Sequence, residues 1–207
     1  MKLVIFGATG SVGTHLVQQA LQQGYTVTAF TRNPQKLSAH SHERLTIVTG
    51  DLLNPADADR AMKGQDAVLC VIGDGNKGIV RSQGTKNIIA AMKNNGVKRL
   101  VCETTLGLGD SKGNLNLMWK IIFGVFLRKA FKDHGLQEKY VTGSALNYTI
   151  VRPSAFTDGE VTGTYKVDFD SKAKGLSLKI NRADVADFIL KQVTADRYLN
   201  HAVSISN

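Results

Sequence analysis

The 207-residue chain, with 43% hydrophobic and 21% charged residues, 20 Gly and 3 Pro, has the usage of a globular protein with a sizeable core, and disordered, collagenous and coiled-coil classes are excluded. Its 2 cysteines exclude a disulfide scaffold. The net charge of +9 would suit a polyanion, yet no basic block of five or six residues occurs, so a small anionic ligand is expected and a nucleic acid is not.

The first apolar run is only four residues long before Gly7, too short for a signal-peptide core. Cys70 and Cys102 sit inside apolar runs as free thiols do, and a cytoplasmic location is expected. Strand-length apolar runs follow at residues 3–6, 25–30, 45–48, 67–72, 100–102 and 148–151, separated by segments of helical pattern. Leu16, Val17, Ala20 and Leu21 share one helix face before a stop at Gly24, and a second such helix ends at Gly96. That alternation predicts an α/β fold, a Rossmann-type doubly wound parallel sheet. No repeat or Pro-rich linker interrupts it, so residues 1–207 are expected to form a single domain. Residues 158–178 are rich in Gly, Lys and Asp; the alternating pieces TYKVDF and LSLKI predict a hairpin in a small C-terminal lobe on the substrate side. A last helix over residues 183–193, with Asn181 as N-cap, and a last strand over 202–205 complete the chain.

The first turn carries the chemistry. Gly7-Ala8-Thr9-Gly10-Ser11-Val12-Gly13 leads from a strand into a helix, where glycines allow close backbone approach and the helix N-terminus offers free N–H groups to a pyrophosphate. Gly7, Thr9, Gly10, Ser11, Val12 and Gly13 are therefore candidate dinucleotide ligands. An acidic residue ending the second strand would select NAD, a basic one NADP; here the strand runs into Thr31-Arg32-Asn33 with no carboxylate, about twenty residues past the glycines. NADP(H) is expected, with Arg32 on the 2′-phosphate and Lys36 a second candidate; the plain alternative for Arg32 is a solvated loop arginine. Asp51 and Leu52 after the third strand are placed beside the adenine. Gly73 after the fourth strand, Thr104 after the fifth and Pro153 at the end of the sixth complete the expected cofactor set.

In this order, FGATGSVG, TRNP, GDLLNPADADRAMKGQDAVLCVIG, GTKNIIAAMKNNGVKRLVC, DHGLQEK, VRPSAFTDGEVTGTY and RADVADFILK resemble the atypical short-chain dehydrogenase/reductases, and among them the biliverdin reductase B (flavin reductase) family. The resemblance runs from end to end. It implies a monomeric cytosolic enzyme in which NADPH reduces flavins such as FMN, and in some members linear tetrapyrroles or quinones, the flavin being substrate rather than prosthetic group. NmrA-like NADP-binding regulators share the same elements and imply the other reading, a regulator or assembly factor that binds the dinucleotide without turnover.

The wider superfamily carries Tyr-x-x-x-Lys, but four residues after the five tyrosines stand Ala29, Ser144, Arg152, Phe169 and Ala202, so a carbonyl–alcohol dehydrogenase of the usual type is disfavoured. Thr105, just past the fifth strand, is the candidate catalytic residue, in a positioning role; a satisfied strand-end threonine is the alternative. Mammalian-type members of the resembled family carry a histidine in the segment that here reads Pro153-Ser154-Ala155-Phe156, and Ala155 takes its place. His15, His40, His42, His134 and His201 offer no replacement from spacing, and none has a metal-ligand pattern. Hydride transfer to a flavin needs stacking more than a dedicated acid. Ser154, Ala155, Phe156 and Trp119 are the expected substrate pocket, within substrate-side elements at about 105–135 and 153–180.

Residues 115–131, LNLMWKIIFGVFLRKAF, are apolar at too many positions for one buried stripe. At residues 115–127 the apolar stretch contains Lys120 and falls short of the ~20 residues that span a bilayer, so no transmembrane segment is expected. Core helix, lid over an apolar acceptor, partner contact and membrane-surface helix all stay open for it, with core or lid ahead of the others; Lys120, Arg128, Lys129 and Lys132 are what keep the last one open.

Overall fold

The computed structural model describes residues 1–37, 41–170, 173 and 175–207, so His40 lies outside the described residues. Strands β1 (Lys2–Phe6), β2 (Thr26–Thr31), β3 (Leu45–Thr49), β4 (Ala67–Cys70), β5 (Arg99–Glu103) and β6 (Asn147–Pro153) fall on the six expected runs. Together with β8 (Lys166–Val167) and β10 (His201–Ser206), they form a sheet of order β3-β2-β1-β4-β5-β6-β10-β8. Every pair is parallel except β10 with β8. The order reverses between β1 and β4, the switch point where open parallel sheets bind ligands at their carboxyl ends.

Consecutive residues of each central strand enter opposite cores. Leu3, Ile5, Val101, Val151 and Val203 pack with α1 (Gly13–Gln22) and α6 (Arg182–Lys191). Val4, Phe6, Val68, Leu100 and Ile150 pack with α2 (Pro55–Met62), α3 (Val80–Asn95) and α5 (Arg128–Thr142). Strands buried on both faces read as continuous apolar runs, which is why they were legible. Gly24 and Gly96 adopt φ +86° and +69° and end α1 and α3 as expected.

The C-terminal lobe differs from the expected hairpin. The two alternating pieces do not pair with each other: β8 adds to the main sheet antiparallel to β10, while β9 (Lys179–Asn181) pairs in parallel with β7 (Ala155–Thr157) as a small second sheet. Alternation encodes one buried face, here Ile180 at 0% exposure, and leaves the partner strand to be set by the long-range fold. Asn181 does occupy the N-cap position of α6, but its Oδ1 accepts from the Thr157 hydroxyl at 2.7 Å and makes no cap bond.

Residues 115–131 form α4 (Leu117–Ile121), a π-helical turn over Ile122–Phe126 and the start of α5. Among the described residues no helix is long and apolar enough to cross a membrane.

Candidate functional site

The glycine turn closes over the carboxyl ends of β1 and β4. Gly7 has φ +93°, and a Cβ there would lie 2.3 Å from the Val71 carbonyl oxygen; a Cβ on Gly13 would lie 2.0 Å from that of Gly7. Only glycine fits at either position. The Gly10 N–H donates to the Gly7 carbonyl at 2.8 Å, and α1 then begins at Gly13 with no side-chain cap and no acidic residue in its first turn. Its leading N–H groups and positive dipole end are left to an external anion, which is the arrangement a dinucleotide pyrophosphate requires.

Two cavities meet there, sharing Gly10, Ile72 and Gly73 in their linings. The smaller, about 240 Å³, is lined by Gly7, Thr9, Arg32, Lys36, Asp51 and Leu52 among others. Thr9 and Thr31 hydroxyls lie 3.0 Å apart and tie the glycine turn to the end of β2, beside exposed Arg32. The larger, about 490 Å³, brings Ser11, Val12, Thr104, Thr105, Pro153 and Ser154 together with Ala155, Phe156 and Trp119. Gly13 lines neither cavity; its place is the packing contact beneath the turn.

The apolar segment forms one wall of the larger cavity. Leu115, just before α4, and then Trp119, Phe123, Leu127 and Phe131, each four residues after the last, line it as one row. Ring centroids are 5.8 Å apart for Trp119–Phe123 and 5.1 Å for Phe123–Phe131, a ladder of aromatic surface. The opposite row, with Leu117, Met118, Ile121, Val125 and Phe126, is exposed. Both rows are apolar, and that is why no single stripe emerged from the sequence.

The hydroxyls at the end of β5 are partly committed. Thr104 donates to Glu138 Oε1 at 2.8 Å, and Glu138 is gripped by Arg152 through Nε and Nη2, both at 2.8 Å. Among the described residues the Thr105 hydroxyl makes only a 3.4 Å bond to the Leu106 carbonyl, and it faces the cavity half-buried. The Ser154 hydroxyl is engaged with Ser206 at 3.1 Å.

Four charged or titratable side chains of the larger cavity were missed in the sequence: Arg81, Glu103, His134 and Arg182. The Arg81 and Ser82 N–H groups, at the start of α3, donate to the fully buried Asp133 carboxylate at 3.1 Å each, and Arg81 Nη2 donates to the Gly75 carbonyl at 2.9 Å. Among the described residues Arg81 Nε and Nη1 find no hydrogen-bond acceptor, so the guanidinium presents spare donors. Arg182 pairs with Asp158 at 2.7 Å and lies 5.3 Å from the Phe156 ring centre. Burial pushes the His134 imidazole down to about 4, so it is neutral at pH 7, with Nδ1 bonded to Gln137 Oε1 at 3.0 Å. Burial pushes the Glu103 carboxyl up to about 8, against the opposing pull of Arg81 and Arg182. One signal for Glu103 was present, a carboxylate directly ending the apolar run RLVCE.

A model of the NAD(P)H-binding family matches residues 7–196, and the chain belongs to that family. A chloroplastic protein of Arabidopsis thaliana is 30% identical over 177 residues, covering 78% of this chain and 61% of that one. The photosystem II assembly factor Ycf39 of Synechocystis is 25% identical over 209 residues, 95% of this chain and 59% of its own. This chain thus spans about three fifths of the length of these two curated relatives, and 32% of a third, the TIC 62 protein of Pisum sativum. Among solved structures, ChuY, an anaerobilin reductase from Escherichia coli O157:H7, superposes with a TM-score of 0.84 at 24% identity over 99% of this chain and 96% of that one. At that identity the likeness is one of fold.

Proposed function

We propose that the chain is an NADPH-dependent reductase that passes a hydride to a flat conjugated acceptor, a flavin such as FMN or a quinone or linear tetrapyrrole. The observation that carries this reading is the aromatic-walled cavity opening directly from the glycine turn. A site for dinucleotide binding alone has no need of a second, larger, apolar chamber at its nicotinamide end. Gly7, Gly10 and the α1 N-terminus hold the pyrophosphate, while Arg32 and Lys36 face the 2′-phosphate. When bound, the cofactor supplies the hydride. Trp119, Phe123 and Phe131 stack the acceptor, Thr105 hydrogen-bonds it, and the apolar wall excludes water; the work is proximity and orientation.

The experiment mixes purified protein with NADPH and FMN, menadione or biliverdin and follows the nicotinamide absorbance. Oxidation of NADPH dependent on an acceptor is expected. Tight NADPH binding with no oxidation by any of the three would instead favour the non-catalytic regulator or assembly factor.

Two substitutions separate the halves of the site. Arg32→Ala is expected to weaken NADPH about tenfold and leave NADH almost unchanged, since one charge-assisted contact is lost; equal effects on both cofactors would remove Arg32 from the phosphate. Trp119→Ala is expected to raise the acceptor KM about tenfold with NADPH affinity within a fewfold. Quenching of Trp119 fluorescence by the acceptor, absent in this variant, is the direct readout.

A further inference from the structure

We propose that Glu103 is the proton donor of this site: its carboxylic acid protonates the acceptor as the hydride arrives. The inference rests on the reductase reading above and names the acid that the missing Tyr-x-x-x-Lys and the alanine at 155 leave without an owner.

Two glutamates on neighbouring elements show the contrast, Glu138 buried and Glu103 half-buried. Glu138 has every feature of a structural carboxylate: both oxygens are held by Arg152 and one also by Thr104. Glu103 ends β5 at the carboxyl edge of the sheet and lines the acceptor cavity, yet among the described residues nothing donates to its buried Oε2. Buried carboxylate oxygens are ordinarily paired, and one left open toward a ligand cavity is kept for something that enters it. The charged and titratable groups facing it are Arg81 from α3, Arg182 from α6, Cys70 from β4 and, in the same cavity, His134 from α5. Neither arginine hydrogen-bonds it, and desolvation outweighs both, so the carboxyl keeps its proton at neutral pH. The rivals lack one to give. His134 is neutral and held by Gln137, the Thr104 hydroxyl is donated to Glu138, and a threonine hydroxyl such as that of Thr105 is a poor acid near neutrality.

The step balances simply. The reduced dinucleotide loses a hydride, one proton with two electrons, as its C–H bond breaks, and the acceptor gains it together with one negative charge. The Glu103 O–H bond breaks, its proton goes to the acceptor atom bearing that charge, and water reprotonates the carboxylate after release. Acceptors whose hydride adduct is a strongly basic anion, such as a conjugated carbonyl or imine, gain most from it.

The test uses Glu103→Gln, which keeps the shape and loses the acid, with two readouts. In protein carrying carboxyl-¹³C glutamate, the resonance absent from the variant should titrate near pH 8 in the ligand-free wild type; ionisation complete by about pH 6 would overturn the proposal without reference to turnover. In single turnovers of menadione at saturating NADPH, the wild-type rate should fall about tenfold per pH unit above about 8, while the variant should be flat in pH and about a hundredfold slower at pH 7, with NADPH affinity within about threefold. A variant with wild-type rate and profile sinks the role of Glu103 and leaves the reductase standing. Failure of the wild type to oxidise NADPH with menadione, FMN or biliverdin sinks both.

Discussion

Replacing Arg152 with methionine is expected to destabilise the fold by about 3–5 kcal/mol, read as a lowered midpoint in urea unfolding. Arg152 lies on β6 at 5% exposure and meets both oxygens of Glu138, itself at 9%. Its Nη1 also reaches Asp110 at the surface. Removing the guanidinium leaves Glu138 as a buried anion with only the Thr104 hydroxyl for company, and the desolvation cost that the pair had offset is then uncompensated. The loop after β5 also loses support, because Gly109, at φ +53°, packs so close that a Cβ there would sit 2.7 Å from Arg152 Nη2. The double variant Arg152→Met, Glu138→Leu is expected to recover most of the loss, since two apolar side chains of similar volume need no hydration replaced. A single variant within about 1 kcal/mol of wild type would mean that Glu138 is solvated or neutral and that this pair does not anchor β6 to α5.

How far the sequence spoke for the structure follows the range of the interactions. Strands such as Val4-Ile5-Phe6 are buried on both faces and announce themselves locally, and Gly13 is fixed by the nearby Gly7 carbonyl, whereas Gly7 is fixed by the distant Val71 carbonyl and was legible through the spacing of the motif. The strand-to-helix glycine turn was therefore legible in the sequence. The pairing of β7 with β9 is set by packing over Ile180 and could not be read from alternation alone. Arg81 illustrates the same limit in the site. Its position depends on Asp133, 52 residues away on α5, which accepts the first N–H groups of α3 in place of a local cap. Residues 115–131 show a different one: helical spacing was present at 115, 119, 123, 127 and 131, but the exposed opposite row is equally apolar and hid it.

The ligand-free protein is expected to show a pH dependence of stability in which two half-buried cavity groups oppose each other. Glu103 carries its proton in the fold up to about pH 8 and would lose it near 4.5 when unfolded, so between those values the folded state binds more protons and stability falls as pH rises. His134 is neutral in the fold down to about pH 4 but takes a proton near 6.5 when unfolded, so its contribution is complete above 6.5 and is lost as pH falls toward 4. Across about pH 5 to 6.5 the two slopes cancel and the wild type should be nearly flat; from 6.5 to 8 only Glu103 remains, and stability should drop by about 2 kcal/mol. Glu103→Gln cannot ionise, so its curve should rise from pH 5 to 6.5 with His134 alone and then hold level, ending above the wild type at pH 8. His134→Gln should do the reverse and decline through the whole interval. Urea unfolding of the three proteins at matched ionic strength checks all of this. A wild type that loses nothing between pH 6.5 and 8 would place an ionised Glu103 in the cavity at neutral pH, and the buried carboxyl would then be a fixed negative charge facing the acceptor in place of a stored proton.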